Sequence, residues 1–516
     1  MPAPSNGIIH RKAGWKKSKP GNLRNAGGRV GWSEGEKDGT KGTFLGIWAA
    51  RLCKARGLRY NAGPADLAAF CTGITARSAG KAVRRAERER ALKLKVRQSR
   101  LEGRVTIPGS KSHTIRAVAI ASLAAGRSRI IAPLDSADTL AAVDAYRAAG
   151  ARIDVGKDAW TVEGTGGAVA APGAVVDVKN SGTTLRMALG SFALMREGKA
   201  TLTGDEQIQR RPAGPLAASL GDLGASVVSL RGDGCAPFEV RGRLAGGETS
   251  IEAVSSQYLS SLLINTPLAE GDTHIRVTLL NEAPYVGMTL AWLEEQGIRL
   301  QYAGDYSDFC IQGGQGYKGF ERRVPGDFSS ATFFFAAGAF CGNAVRLVGL
   351  DMNDTQGDKA VVDYVRRMGA KVGFAGGEIC VSGERLEGCE IDLNATPDAL
   401  PMMAVLGCFA KGRTTLRNVP QARIKETDRI AVMAAELTKM GGRVKELPDG
   451  LVIEESALWG AEVRGHGDHR VVMALAVAGT AAKGETVIGT AEAIAVTFPT
   501  FVDAMTGIGA EMALVE

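Results

Sequence analysis

Residues able to do chemistry at a telling spacing are densest in Ile107-Pro-Gly-Ser-Lys-Ser-His-Thr-Ile-Arg116. Pro108-Gly109 is turn chemistry, and Ser110 or Ser112 can cap a helix N-terminus. The run from Ile115 to Ala125 is apolar and helix-forming, and Gly126 is placed to end it. Lys111, Ser112 and Arg116 therefore gather at a helix start, where unpaired N–H groups and the helix dipole favour an anion. The stretch predicts a phosphate or carboxylate ligand. Taken alone, the same residues also describe a capped surface helix with solvated charges.

The plan recurs along the chain. Six polar turns precede apolar runs: Pro108-Gly-Ser-Lys-Ser, Asn180-Ser-Gly-Thr-Thr, Ser255-Ser-Gln-Tyr, Gly326-Asp-Phe-Ser-Ser, Ala395-Thr-Pro-Asp and Gly467-Asp-His-Arg. Each offers Ser, Thr or Asp for capping, so six positive helix ends are presented. Gly126, Gly198, Gly271, Gly342, Gly412 and Gly484 close the first helices, and Gly150, Gly224, Gly297, Gly369, Gly441 and Gly509 close the second ones. Both ladders climb by about 72 residues per step, too long for a thin solenoid repeat. With strands at both ends of each unit and between its helices, the fold class is α/β. Six such units exceed one core, so two lobes of three units are expected, with a cleft between them as the natural site.

The net charge of +8 belongs to the beginning of the chain. Residues 1–93 hold 20 Lys+Arg against 6 Asp+Glu, and the remainder is acidic. This Gly-rich, basic leader cannot build a core and is expected to be a disordered extension or sequence upstream of the true start. A transit peptide and a nucleic-acid-binding arm are the weaker readings. No run of 18 apolar residues marks a membrane span. Eight cysteines without CxxC or Cys/His ligand spacing read as reduced thiols of a cytoplasmic protein, with no metal site.

From about residue 94 to 516 the chain resembles the 5-enolpyruvylshikimate-3-phosphate synthase family. The motifs that carry the resemblance are Pro108-Gly-Ser-Lys-Ser, Asn180-Ser-Gly-Thr-Thr-Leu-Arg, Arg211-Pro212, Ser255-Ser-Gln, Ile424-Lys-Glu-Thr-Asp-Arg-Ile and Asp468-His-Arg. The resemblance implies a two-lobed inside-out α/β barrel, with one lobe from 110–324. The other lobe takes 325–516 and one strand from 94–109. It implies transfer of the enolpyruvyl group of phosphoenolpyruvate to the 5-hydroxyl of shikimate 3-phosphate, releasing phosphate by addition and elimination. It implies small-molecule substrates only, a monomer, no nucleic-acid or membrane partner and no cofactor.

Carried over by motif, Lys111, Gly182, Arg211, Gln257, Arg429 and Arg470 hold phosphoenolpyruvate. Lys111, Ser112, Arg116, Ser255, Ser256, Gln257, Asp398, Gln421 and Lys425 hold shikimate 3-phosphate. Asp398 is the base at the 5-hydroxyl, Glu426 the proton donor to the methylene, and Lys111 a charge stabiliser and proton shuttle. Each also has an ordinary reading: Arg211 as surface charge, Asp398 as a helix-start acid, Glu426 and Arg429 as a helix salt bridge. His113 and His466 read as bystanders, His469 as lying behind the site, and Tyr285 as lining it or simply packing.

Three departures from the family pattern stand out. Glu282-Ala283 replaces Ser or Thr before Pro284-Tyr285, and a carboxylate there would repel a phosphate unless turned away. Glu492 and Val496 occupy places where the family offers a lysine. Gln207 and Gln209 stand where relatives carry basic residues. Two alternatives remain at this point: a transferase acting on UDP-N-acetylglucosamine, with Cys235 the candidate lid thiol, and a non-catalytic anion-binding relative.

Overall fold

The computed structural model describes residues 92–516. The expected leader therefore lies, up to residue 91, outside the described residues. Among the described residues are six four-stranded sheets with a common plan, and one two-stranded ribbon. In the sheet of Val176–Asp177, Ala200–Thr203, Phe238–Arg241 and Ser226–Ser229, the first two strands are parallel and the rest antiparallel. The Gly182–Phe192 helix makes the parallel crossover, and the Gly214–Asp222 helix leads to the outer hairpin. Each unit is thus strand, helix, strand, helix, strand, strand.

The first helices lie inside. Gly182–Phe192 and Phe328–Gly338 are buried along their whole length, and Lys111–Leu123 and His469–Ala481 nearly so. A helix apolar on every side must be surrounded by protein. The sheets cover these helices and alternate buried and exposed residues, as in the eeBeBeB pattern of Gly247–Ala253. Every ladder glycine except Gly271 has positive φ, from 69° at Gly297 to 106° at Gly150. The second ladder marks left-handed helix ends, with Gly150, Gly224, Gly297, Gly369 and Gly441 directly after the cap residue. The first-ladder glycines lie beyond their helices, in the turn into the next strand, and do not end them as expected.

Two sheets borrow their first strand. Glu102–Thr106 pairs in parallel with Asn343–Val348, and Glu321–Arg323 with Arg127–Ile131. The segments that follow cross side by side: Ser110 N–H donates to Pro325 O at 2.8 Å, and Asp327 N–H to Pro108 O at 2.9 Å. The sixth sheet also reaches back, because Lys93–Arg97 sits between Glu485–Gly489 and Glu511–Val515. Two N-terminal strands, not the single one expected, therefore join the sheets of the C-terminal half. The last unit ends one strand short, and Lys93–Arg97 fills the vacancy.

Buried apolar side chains form two clusters. One runs from Ile115 to Val324, and the other combines Leu94–Ile107 with Phe328–Met512. Phe333, Phe334, Phe498 and Phe501 interlock in the second at centroid distances of 5.8–6.0 Å. Each fully buried phenyl contributes about 1.5–3 kcal/mol, enough to fix the helix that begins after Asp327. Among the described residues no helix is long and apolar enough to cross a membrane.

Candidate active site

Side-chain capping fixes four of the six inner helix starts; the Thr396 start, like that of Ser110, makes no cap bond. Ser181 accepts from Thr184 N–H, Ser255 from Gln257 N–H, Asp327 from Ser330 N–H and Asp468 from Arg470 N–H. Ser110 holds the cap position of Lys111–Leu123 but makes no cap bond, and its Oγ has no partner. That turn is fixed by the crossing segment at Pro325 instead.

Five of these starts line one cavity, with about 570 Å³ of empty space counting that open to solvent; the Asp327 start stands behind it, Ser329 O accepting from Arg470 Nη1 at 3.4 Å. Of the residues carried over by motif, Lys111, Ser112, Arg116, Gly182, Arg211, Ser256, Gln257, Asp398, Lys425, Glu426, Arg429 and Arg470 line it. Ser255 and Gln421 do not. They line an adjoining recess shared with Arg211, Gln257 and Lys425. There Gln421 Nε2 donates to Asn394 O at 2.9 Å, which aims its amide along the backbone.

Arg429, 1% exposed, is the centre of the charge network. Its Nη1 donates to Asp398 Oδ1 at 2.7 Å, Nη2 to Glu426 Oε2 at 2.7 Å and Nε to Asp468 Oδ2 at 2.8 Å. Arg470 Nη2 reaches Asp398 Oδ2 at 2.8 Å, and Arg211 Nη1 reaches Glu426 Oε1 at 3.4 Å. The two candidate proton-transfer groups thus share one guanidinium, and each has a second arginine. Arg211 needs Gly182 beside it, because a Cβ there would lie 2.6 Å from Arg211 Nη1.

Arg116 is different. Buried, it donates to Thr289 Oγ1, Ser112 O, Ser260 Oγ and Tyr285 O, all neutral acceptors. It is a fixed cation facing the cavity with no carboxylate partner among the described residues, as a carboxylate-binding role requires.

The fields are strong. Burial alone would raise Glu426, but Arg211 and Arg429 outweigh it and hold it well below the usual carboxylate range. Burial likewise raises Asp398, and Arg470, Arg429 and Lys425 more than reverse it. Both are thereby held as carboxylates, so Glu426 does not stand ready as an acid. Burial raises Asp138, with Lys111 at 3.1 Å opposing it, and raises Asp358 to about 7, with Asp398 adding to the rise.

Sequence reasoning missed several groups. Asp138 lines the cavity from the start of Ala137–Ala148, where a first-turn acid carries no special signal. Tyr285, which the sequence left between lining the site and packing, does line it, its hydroxyl donating to Asp358 Oδ2 at 2.7 Å, and Asp358 itself was missed. Asp468 orients both Arg429 and the Arg470 turn; its place as a helix cap was the available signal. Of the histidines, His113 is buried between Asp354 and Trp292, and His466 pairs with Glu436. His469 is buried with neither ring nitrogen partnered, and burial, then Lys111, keeps it neutral.

Glu282 is not turned away. Its carboxylate accepts from Ser256 Oγ at 2.7 Å and pairs with Lys425. Cys235 is largely buried, and burial raises its thiol, so it offers no activated lid nucleophile. Among the described residues, one group with metal-ligand potential, His274, Asp308 and Cys310, lies outside the cavity lining.

Comparison with known proteins agrees with this geometry. A family model for EPSP synthase (3-phosphoshikimate 1-carboxyvinyltransferase) matches residues 96–505. A 3-phosphoshikimate 1-carboxyvinyltransferase of Acetivibrio thermocellus is 55% identical over 423 residues, 82% of this chain and 100% of that protein. One from Ruminiclostridium cellulolyticum is 50% identical over 422 residues, again 82% and 100%. The solved EPSP synthase from Acinetobacter baumannii aligns at TM-score 0.70 and 27% identity, covering 82% of this chain and 100% of that one. The enolpyruvyl transferase NikO from Streptomyces tendae, 20% identical at TM-score 0.67, shares the fold.

Proposed function

The chain belongs to the EPSP synthase family, and we propose that its cavity transfers the enolpyruvyl group of phosphoenolpyruvate to the 5-hydroxyl of shikimate 3-phosphate, releasing phosphate. The two apolar clusters are then lobes, 94–109 with 325–516 and 110–324, that close on both substrates. The observation that carries the reading is Arg429 spanning Asp398 and Glu426, with arginines on either side. Two carboxylates within reach of the same bound anion are what an addition followed by an elimination requires.

The roles divide as follows. Arg211, Arg429 and Arg470, with Lys111 and the Gly182 backbone, hold phosphoenolpyruvate. Arg116 and Ser112 hold the shikimate carboxylate, Ser255, Ser256 and Lys425 the 3-phosphate, and Gln257 spans both substrates. Gln421 contributes from the recess once the lobes close. Asp398 takes the 5-hydroxyl proton as that oxygen bonds to C2 of phosphoenolpyruvate, while Glu426 delivers a proton to C3. In the second step C3 returns its proton to Glu426 and the C2–O bond to phosphate breaks. The departing oxygen takes the proton held on Asp398, with Lys111 as shuttle.

Glu426 becomes an acid only after binding. Substrate anions occupy Arg211 and Arg429, removing the field that depresses its pKa. Binding should therefore be accompanied by proton uptake. The enzyme works without a cofactor, as a cytoplasmic monomer, in keeping with its free described cysteines.

The test is phosphate release from phosphoenolpyruvate with shikimate 3-phosphate and, separately, with UDP-N-acetylglucosamine. Release with the first alone is expected. Release with the second, or with neither, overturns the reading.

A further inference from the structure

The Ser255-Ser256 turn is made to hold an oxyanion. Ser256 opens the Ser256–Asn265 helix, so its N–H is one of the donors left over at a helix start. Ser255 and Ser256 add two hydroxyls, and Lys425 adds an ammonium from the far side of the cavity. Glu282 occupies this cradle. Its Oε2 accepts from Ser256 Oγ at 2.7 Å, Ser256 N–H at 3.2 Å and Ser255 Oγ at 3.4 Å, while Oε1 pairs with Lys425. The residue is 2% exposed.

Its backbone is costly. Glu282 has φ 60° and ψ 37°, a left-handed conformation in a residue with a full side chain. Such geometry is strained for a residue with a side chain and persists where the surroundings over-determine it. Here the carboxylate contacts hold one end, and Asn394 Oδ1, accepting from Glu282 N–H at 3.4 Å, holds the other.

A carboxylate and a phosphoryl group ask for the same donors. The phosphoryl differs in bringing a third oxygen and up to a second charge. We propose, on the reading that the acceptor is a phosphate monoester, that Glu282 is an internal occupant of the acceptor-phosphate cradle. The incoming phosphate must displace it, and Glu282 thereby sets discrimination between phosphorylated and unphosphorylated acceptors.

Being tethered, the carboxylate competes at an effective concentration on the order of millimolar or above. Single-charged anions cannot dislodge it. A dianion can, because it gains more from Lys425 and the helix start. The two anions cannot share the cradle, so Glu282 must swing out and Lys425 must exchange partners. An acceptor without phosphate leaves Glu282 in place and bears no such cost. The chain therefore favours the phosphorylated acceptor less than its own cradle would allow.

The experiment is calorimetric titration of the full chain, of Glu282→Gln and of Glu282→Ser with three probes: inorganic phosphate, shikimate 3-phosphate and shikimate. Glu282→Gln keeps the side-chain shape, which guards against loss of folding. Both variants should bind inorganic phosphate and shikimate 3-phosphate about tenfold tighter or more, as expected for removing a charge-assisted competitor. Shikimate affinity should change less than about threefold. Unchanged or weaker phosphate binding in both variants overturns the proposal. Equal loss of affinity for all three probes also overturns it, since Glu282 would then only brace the turn. Tighter inorganic phosphate with no shikimate 3-phosphate binding to any form sustains the role of Glu282 and removes the acceptor reading instead.

Discussion

The two ends of the cavity handle negative charge differently. At the donor end Asp398 and Glu426 each lie between two arginines, and Arg429 joins them. At the acceptor end Glu282 has one lysine, two hydroxyls and one backbone N–H. Planar guanidinium forks fix a carboxylate in place. A lysine on a flexible stem holds it as a point charge and can change partner. On the proposed roles, the donor-end acids are working parts that stay while substrates come and go, whereas the acceptor-end acid is placed where it can leave. Cations with built-in counter-ions stay folded when empty, because unpaired buried charges would be far costlier.

The sharpest way to break this contrast is to remove the shared fork. Arg429→Met strands Asp398, Glu426 and Asp468 and should lower unfolding free energy by about 3–5 kcal/mol in urea titration. A loss no larger than that of an exposed ion pair would mean the donor end is not wired as described.

Next comes Asp358, which accepts from the Tyr285 hydroxyl and is raised from 3.8 to about 7 by burial and then by Asp398. A folded-state pKa above the unfolded one contributes stability that is whole below about pH 4 and is lost as pH rises to about 7. Asp358→Asn should flatten that decline, worth up to roughly 4 kcal/mol, in urea titrations between about pH 4 and pH 8. An unchanged slope would assign the pH dependence elsewhere.

Asp398→Asn and Glu426→Gln should each cut turnover by about 10²-fold or more, the range general acid–base catalysis supplies. Near-normal steady-state phosphate release in both would remove the proton-transfer roles. Glu426→Gln should also abolish the proton uptake on substrate binding, read by calorimetry in buffers of different ionisation enthalpy. Smallest of the set, Arg470→Ala should weaken phosphoenolpyruvate by about tenfold and shikimate 3-phosphate less. Equal weakening would blur the two ends into one.

The repeat was legible because glycine reports backbone sign. The second-ladder glycines announced left-handed helix ends before any fold was in view, while the first ladder marked the turns that lead into the next strands. The turns were legible because capping side chains are few in kind, although two of the six make no cap bond, and the convergence of five on the cavity follows from units packing alike. What stayed hidden depends on side-chain direction. Ser255 and Gln421 lie on the right turns but face a recess. By sequence Glu282 would repel a phosphate unless turned away; it faces Ser256 instead, because Lys425, 143 residues away in sequence, compensates its charge. The ionised state of Glu426 likewise comes from Arg211, which no local pattern links to it. The sixth unit's missing strand was invisible because its replacement lies at the other end of the chain.

The central claim is that a proton is added to C3 of phosphoenolpyruvate and then withdrawn across this cavity. Turnover in deuterium oxide tests it directly, because a transient methyl group at C3 exchanges hydrogen before the double bond reforms. Mass spectrometry of the enolpyruvyl product should show deuterium at the methylene carbon. A product free of deuterium at that carbon would contradict the account.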